Sequence, residues 1–310
     1  MRYRVAIADI AEYPRPVADL STAQPETAAL ATLPQISQRK PARSSTRRAA
    51  EAGEDGLFVN SVEKAFRVLD AFGQGSSSLG LSEIAAASGL DRSAAQRFTH
   101  TLERLGYLRK DPRTRHYELT VRTLDLGYRY IRASALVDRA APYLLDLSRA
   151  TEEAVSLTVM DGADIVYLSR LLSRHMLHTN VQVGSRLPAY CTAPGRAMLS
   201  RMPHAEARAL LEGSDRIAYT PHTTTPLPVL LARLEEAAAN GFALAVQEIY
   251  LGDVSVAAAV LGPDGLPCAA VNVAVSLSRC PPEAAVERFA PLVVTAAAAM
   301  SRSMPREARR

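Results

Sequence analysis

LSEIAAASGLDRSAAQRFTHTLERLGYL, from Leu81 to Leu108, reads as a helix, a tight turn at Ser88-Gly89 and a second helix. In the second helix Ala95, Phe98, Leu102 and Leu105 recur at the spacing that lines one side of a 3.6-residue turn. The other side carries Arg92, Ser93, Gln96, Arg97 and His100. These long or hydroxylated side chains suit phosphates and base edges. A helix-turn-helix sets its second helix in the major groove with the N-terminal residues toward the bases, and the polar cluster lies at that end. YLRKDPRTRHYEL follows, from Tyr107 to Leu119, as two short runs about Asp111-Pro112 with the chemistry of a hairpin. A basic hairpin after a recognition helix is a wing, with Arg113 and Arg115 placed for phosphates. The expected ligand is double-stranded DNA.

A charged outer face is common on small helical hairpins. Here, however, Arg92, Arg97, Arg104, Arg109, Lys110, Arg113 and Arg115 stand against only Glu103 and Asp111. The excess falls where a groove-binding element needs it. The whole chain is nearly balanced, at +4 over 310 residues, so the local distribution carries the argument.

With 48% hydrophobic residues the chain can fill about two cores. Residues 1–56 mix prolines with Ala, Ser, Thr and Gln, then a basic cluster at Arg39, Lys40, Arg43, Arg47 and Arg48. No period is sustained there, and a disordered basic extension is expected. Order begins near Asn60, where Val62, Ala65, Phe66, Leu69 and Phe72 describe an amphipathic helix capped by Asn60 or Ser61 and closed by Gly73. The winged helix-turn-helix domain then spans 57–120 and a linker helix 121–136. A further helix begins by Ala140 and runs to Arg149.

From Thr151 the period changes to two. VSLTVMDGADIVYLSRL is a hairpin about Asp161-Gly162, and SVAAAVL pairs with LPCAAVNVAVSL across Gly262-Pro263-Asp264-Gly265. Helices are expected at Pro194–Met202, at Leu227–Ala239 with Asn240-Gly241 as its cap, and from Pro281-Pro282 to Ser303. The fold class is therefore α+β, with residues 137–305 forming an effector-binding and oligomerisation domain.

Cys191, Cys268 and Cys280 are scattered and lack metal or disulfide spacing, which suits a reducing compartment. His175 and His178 are joined by no carboxylate or cysteine at ligand spacing, so no metal is expected. No Gly-x-Ser-x-Gly elbow, His-Glu-x-x-His helix or phosphate-binding loop occurs, and Cys191 has no evident base partner. An enzyme is not expected, and neither is a cofactor. No apolar stretch approaches the ~20 residues of a membrane span, and Asp9 and Glu12 interrupt any signal-peptide order. A cytoplasmic protein without membrane contact is expected. The alternative to a ligand-switched regulator is a constitutive DNA-binding protein whose C-terminal domain only oligomerises.

The helix-turn-helix and wing, LGYRYIRAS (Leu126–Ser134), GSRLPAYCTAPGRAML (Gly184–Leu199) and QEIYLGDVSVAAAV (Gln247–Val260) occur in an order that resembles the IclR family of bacterial transcriptional regulators. Within it, the Gly184–Cys191 segment is similar to regulators of protocatechuate and β-ketoadipate catabolism. The resemblance implies a GAF-like effector domain with a curved, mainly antiparallel sheet and a homodimer or dimer of dimers. It also implies repression or activation of a catabolic operon, with RNA polymerase as a further partner. The implied effector is a small aromatic-derived carboxylate such as β-ketoadipate, protocatechuate or 4-hydroxybenzoate. The implied pocket holds Met176, Leu187, Ala193, Pro194, Asp253, Ser255, Asn272 and Ala274. Gly184–Gly195 reads as a Gly- and Pro-rich loop that packs poorly as core but suits a binding loop. Thr192 would cap the following helix, whose N-terminus favours a carboxylate, although Pro194 removes one donor. Arg186, with Arg170, Arg174 and His175, would supply cations. Asp253 would repel a carboxylate unless it points away or binds a hydroxyl.

Overall fold

The computed structural model describes residues 56–73, 77–175 and 181–304. Residues 1–55 of the expected extension, together with Met176 and His178, lie outside them. Helix α1 (Asn60–Asp70) continues as a 3-10 turn, Ala71–Gly73, and is followed by α2 (Leu81–Ser88) and α3 (Arg92–Arg104). Glu83 folds back so that its carboxylate accepts the Gly80 N–H at 2.7 Å, and Gly89 closes α2 at φ 63°, a conformation that suits glycine. Asp91 caps α3 by accepting the Ala94 N–H at 2.8 Å. Strands β1 (Leu108–Lys110) and β2 (Tyr117–Leu119) pair antiparallel as the wing, and Leu79 bridges to Tyr117 beside them. Val68, Phe72, Ile84, Leu102, Leu108 and Tyr117 form the core of this domain.

Three local expectations change. Val59, not Asn60 or Ser61, stands at the N-cap of α1, with no side-chain cap. Val62 and Phe66 point outward, Phe66 at 52% exposure, because the helix turns Val68 to the core instead. Leu105 is 51% exposed because it lies past the last turn of α3, where Gly106 at φ 80° redirects the chain.

A 3-10 turn, Val121–Thr123, leads into α4 (Leu124–Ala133), which buries none of its residues. Ser134 breaks the path and caps α5 (Ala135–Thr151), which starts earlier than Ala140. Strands β3 (Ala154–Asp161), β4 (Asp164–Leu171), β5 (Arg186–Pro188), β6 (Ala243–Val246), β7 (Asp253–Leu261) and β8 (Pro267–Ser276) form one antiparallel sheet ordered β5-β4-β3-β8-β7-β6. Asp161 pairs with Asp164, so the first hairpin turns on Gly162-Ala163 rather than Asp161-Gly162.

Helix α6 (Ala193–Leu199) lies on one sheet face with α8 (Leu227–Asn240), whereas α5 and α9 (Pro282–Ser303) cover the other; α7 (His204–Glu212) packs against α8. Alanines make the close approach of α6 possible: Ala193 and Ala197 meet Ala243, Ala245 and Ala257. Helix α9, at 22 residues, is long and apolar enough by composition to cross a membrane, so the chain does hold one stretch of that length against the expectation of none. Its Ala285, Val286, Phe289, Ala290, Val293, Ala297 and Met300 are nevertheless buried, as in a core helix.

The segment expected to pack poorly is instead deep core. Leu187 to Leu199 are all buried, with a short strand and a 3-10 turn, Ala189–Cys191, preceding α6. A Cβ on Gly195 would fall within the backbone of Ala189, so only glycine lets α6 seat on that turn. Gly195→Ala is expected to destabilise the protein by about 1–3 kcal/mol or more through overpacking; urea unfolding checks this, and an unchanged midpoint would contradict the seating.

Candidate nucleic-acid interface and ligand pocket

All five polar residues of the recognition face, Arg92, Ser93, Gln96, Arg97 and His100, are exposed along α3, while Ala94, Ala95, Thr99 and Leu102 turn inward. Arg92 donates to Ser82 Oγ at 3.2 Å, which ties its start to α2. At the wing tip Asp111 Oδ1 accepts the Arg113 and Thr114 N–H groups at 2.7 and 3.2 Å. Those bonds hold its carboxyl below the usual range. Arg115 takes a left-handed conformation at φ 63°, and both Arg113 and Arg115 project into solvent. Arg109 is engaged by Glu118 at 2.7 Å, and Lys110 lies 5.0 Å over the Tyr117 ring. The charges most available to phosphate are therefore those of α3 and the wing tip.

The second site is a cavity of about 460 Å³, counting its open mouth, between the sheet and α6. Alternation explains its lining. Asp253 and Ser255 on β7, and Asn272 and Ala274 on β8, share the face toward α6. A register shift at Leu157/Thr158 pairs Thr158 with Tyr167 and Ser156 with Arg170. This bulge sets Tyr167 and Arg170, three residues apart, on one face. Leu187 on β5 faces inward, and Ala193 and Pro194 close the α6 side.

Arg186 does not reach the cavity: it is on the opposite face of β5 from Leu187 and pairs with Asp161 at 2.6 Å. Arg174 is likewise engaged, by Glu152 at 2.8 Å. Arg170 is the cationic side chain among the described lining residues, and its Nη1 donates to Ser156 Oγ at 3.3 Å.

The N-terminus of α6 offers little to an anion. Thr192 Oγ accepts the Gly195 N–H at 3.3 Å, the Arg196 N–H bonds the Thr192 carbonyl, and Pro194 has no N–H. The sheet carries the cavity's polar side chains instead. Asn272 donates to Ser255 Oγ at 3.0 Å. Asn272 Oδ1 and Asp253 Oδ1 are buried without a hydrogen-bond partner. Burial pushes Asp253 up to about 7, with Arg170 opposing the shift, and burial also raises the Tyr167 and Tyr250 hydroxyls.

Cys191 and Thr192 of the Gly184–Gly195 segment also line the cavity, and Val181, Ala245, Glu248, Ile249 and Tyr250, which carry no signal in the sequence, complete the wall. Glu248 anchors it. Its carboxylate accepts two bonds from Arg196 of α6, at 2.5 and 2.6 Å, and one from the Thr224 N–H at 3.0 Å. Arg196 is 2% exposed and also donates to the Tyr190 carbonyl at 2.8 Å. The hydroxyls of Thr220 and Thr223 donate to the carbonyls of Gln247 and Glu248, both at 2.6 Å. A lone Arg and a lone Glu, 52 residues apart, give no sequence signal of this pairing.

A winged helix-turn-helix with an exposed basic face in one domain and a polar-lined cavity in another are the parts of a DNA-binding regulator with an effector domain. Two family profiles match the chain, "IclR helix-turn-helix domain" over residues 61–112 and "Bacterial transcriptional regulator IclR C-terminal" over 128–302. The chain belongs to the IclR family of bacterial transcriptional regulators. It is 32% identical to the Pca regulon regulatory protein of Pseudomonas putida, over 78% of this chain and 83% of that one. It is 28% identical to the p-hydroxybenzoate hydroxylase transcriptional activator of Acinetobacter baylyi, over 76% and 88% respectively. The crystal structure of a candidate transcriptional regulator from Rhodococcus sp. RHA1 superposes with a TM-score of 0.70 at 33% identity, covering 80% of this chain and 98% of that one.

The raised Asp253 predicts a pH effect. The folded chain holds this proton more tightly than the unfolded chain, whose carboxyl titrates near 3.8, so its contribution to stability falls as pH rises from about 4 to 7. Asp253→Asn should therefore raise Tm over the wild type more at pH 8 than at pH 5. Equal differences at the two pH values would contradict a buried, disfavoured carboxylate.

Proposed function

We propose that this regulator controls a catabolic operon and is switched by a small aromatic-derived carboxylate such as protocatechuate, 4-hydroxybenzoate or β-ketoadipate. The carrying observation is the cavity beside α6, in which Arg170 lies with buried polar atoms that the protein itself does not satisfy. A domain that only oligomerised would have no use for such atoms. Relatives that regulate the Pca regulon and p-hydroxybenzoate hydroxylase support the same class of effector. Leu187, Ala193, Pro194, Asp253, Ser255, Asn272 and Ala274, joined by Tyr167 and Arg170, form the proposed contact set.

The domains are 1–56 as a basic extension, 57–120 for DNA and 137–305 for effector and oligomerisation, the expected linker helix 121–136 being shortened to α4, Leu124–Ala133, with α5 already under way at Ala135. The protein acts in the cytoplasm as a homodimer or dimer of dimers, with RNA polymerase as a further contact and without catalysis. Helix α4 supports the dimer: it exposes Leu124, Leu126, Tyr128 and Tyr130, with Leu124 at 70%. An apolar surface of that kind asks for a second copy. Ligand that favours one placement of the paired recognition helices shifts their match to half-site spacing.

Ser93, Gln96 and Arg97 read bases, with His100 beside them, and Arg92, Arg113 and Arg115 hold phosphates. In fluorescence anisotropy on its own upstream DNA, Arg97→Ala should lose about 1–3 kcal/mol on the specific site and little on a scrambled duplex. Arg113→Ala should weaken both duplexes alike and lower the salt slope by about one. The same uniform loss in both variants would remove Arg97 from base reading, and no preference for the specific site in the wild type would overturn the function. Leu124→Glu with Tyr128→Glu should shift the sedimenting species toward monomer; an unchanged species would remove α4 from the dimer contact.

A further inference from the structure

We infer that the pocket selects an acid that also carries a hydroxyl, which donates to Asn272 or Asp253 while the acid group faces Arg170. This deepens the effector proposal above and rests on it. Asn272 is 2% exposed, and its amide nitrogen is already committed to Ser255 Oγ at 3.0 Å. With the amide so placed, Oδ1 is a buried acceptor with no donor, and Asp253 Oδ1 is a second. Buried acceptors of this kind are costly, and a bound donor relieves the cost. Because Ser255 Oγ accepts from Asn272, its own hydroxyl proton is directed elsewhere, so a ligand hydroxyl can both donate to Asn272 and accept from Ser255.

The acid end is set by the same row of the sheet. Asn272 pairs in register with Ser156, and Ser156 with Arg170, so cation and acceptor stand two strands apart on one face. Near neighbours do not supply the missing donor. Glu248 is occupied by Arg196 and Thr224, and neither the Tyr167 nor the Tyr250 hydroxyl bonds Asn272 Oδ1 or Asp253 Oδ1. Ionised carboxylates are acceptor-only. A dicarboxylate would set its second acid group against Asn272 Oδ1, oxygen against oxygen. A ligand with two adjacent hydroxyls serves both acceptors, and one with a single hydroxyl serves one.

The test is isothermal titration of the full-length protein with 3,4-dihydroxybenzoate, 4-hydroxybenzoate, benzoate and adipate as probes. A site built around a hydroxyl rejects the analogue that lacks it. The hydroxybenzoates should bind at least about tenfold more tightly than benzoate, with adipate weakest. Asn272→Leu should erase most of that preference by weakening the hydroxybenzoates and sparing benzoate. If that variant does not fold, the wild-type ranking decides alone. Benzoate or adipate binding as tightly as the hydroxybenzoates would overturn the hydroxyl requirement while leaving an acid-binding pocket. Failure of all four to bind would remove the effector class and this inference together.

Discussion

The effector domain depends on one buried ion pair, Arg196 with Glu248. Arg196 sits in the second turn of α6, and Glu248 lies in the segment that leads from β6 to β7. Isolated burial of either charge would be prohibitive, and removing one partner of such a pair costs about 3–5 kcal/mol. A bidentate guanidinium-carboxylate contact also fixes relative orientation. The pair therefore joins the helix that forms one wall of the cavity to the segment that forms another. Thr220, Thr223 and Thr224 extend the network by binding the same segment through hydroxyls and a backbone N–H.

With those walls fixed, the sheet supplies chemistry by register. Alternation aims Asp253, Ser255, Asn272 and Ala274 at the cavity, and the bulge at Leu168 in β4 brings Tyr167 and Arg170 to the same side. The resulting site combines one cation with two under-served acceptors, an asymmetry that suits a ligand whose two ends differ. Core packing is simple by contrast. Alanines let α6 approach closely, and Gly195 admits it over Ala189. The frame is held by packing and the buried ion pair, while Asn272 and Asp253 each keep a buried oxygen without a partner.

The winged helix-turn-helix was readable because its determinants are local: a 3.6-residue period, a left-handed Gly89, an Asp91 cap and a short basic hairpin. The long hairpins of the second domain were readable for the same reason. Strand β5 was not, since three residues containing Pro188 carry no period, and β6 is four uniformly apolar residues. The burial of Leu187–Leu199 is not legible in the sequence because small residues and proline mark loops in isolation, whereas here they permit close packing. Arg186 illustrates the limit for sites. One residue of strand phase separates it from Leu187, and nothing local sets that phase. The bulge that recruits Arg170 and the partner of Glu248 both depend on contacts between distant segments. Residue identities at the cavity were thus partly legible, but its charge arrangement was not.

The most direct test of the whole account is the affinity of the full-length protein for its own upstream intergenic DNA, measured at fixed salt with and without saturating 3,4-dihydroxybenzoate. The account predicts specific binding that changes at least about tenfold with the ligand, the scale of an ordinary allosteric coupling. It also predicts that Arg170→Gln abolishes the change while leaving the ligand-free affinity intact. Specific binding indifferent to each of the proposed acids would contradict a cavity that governs DNA recognition.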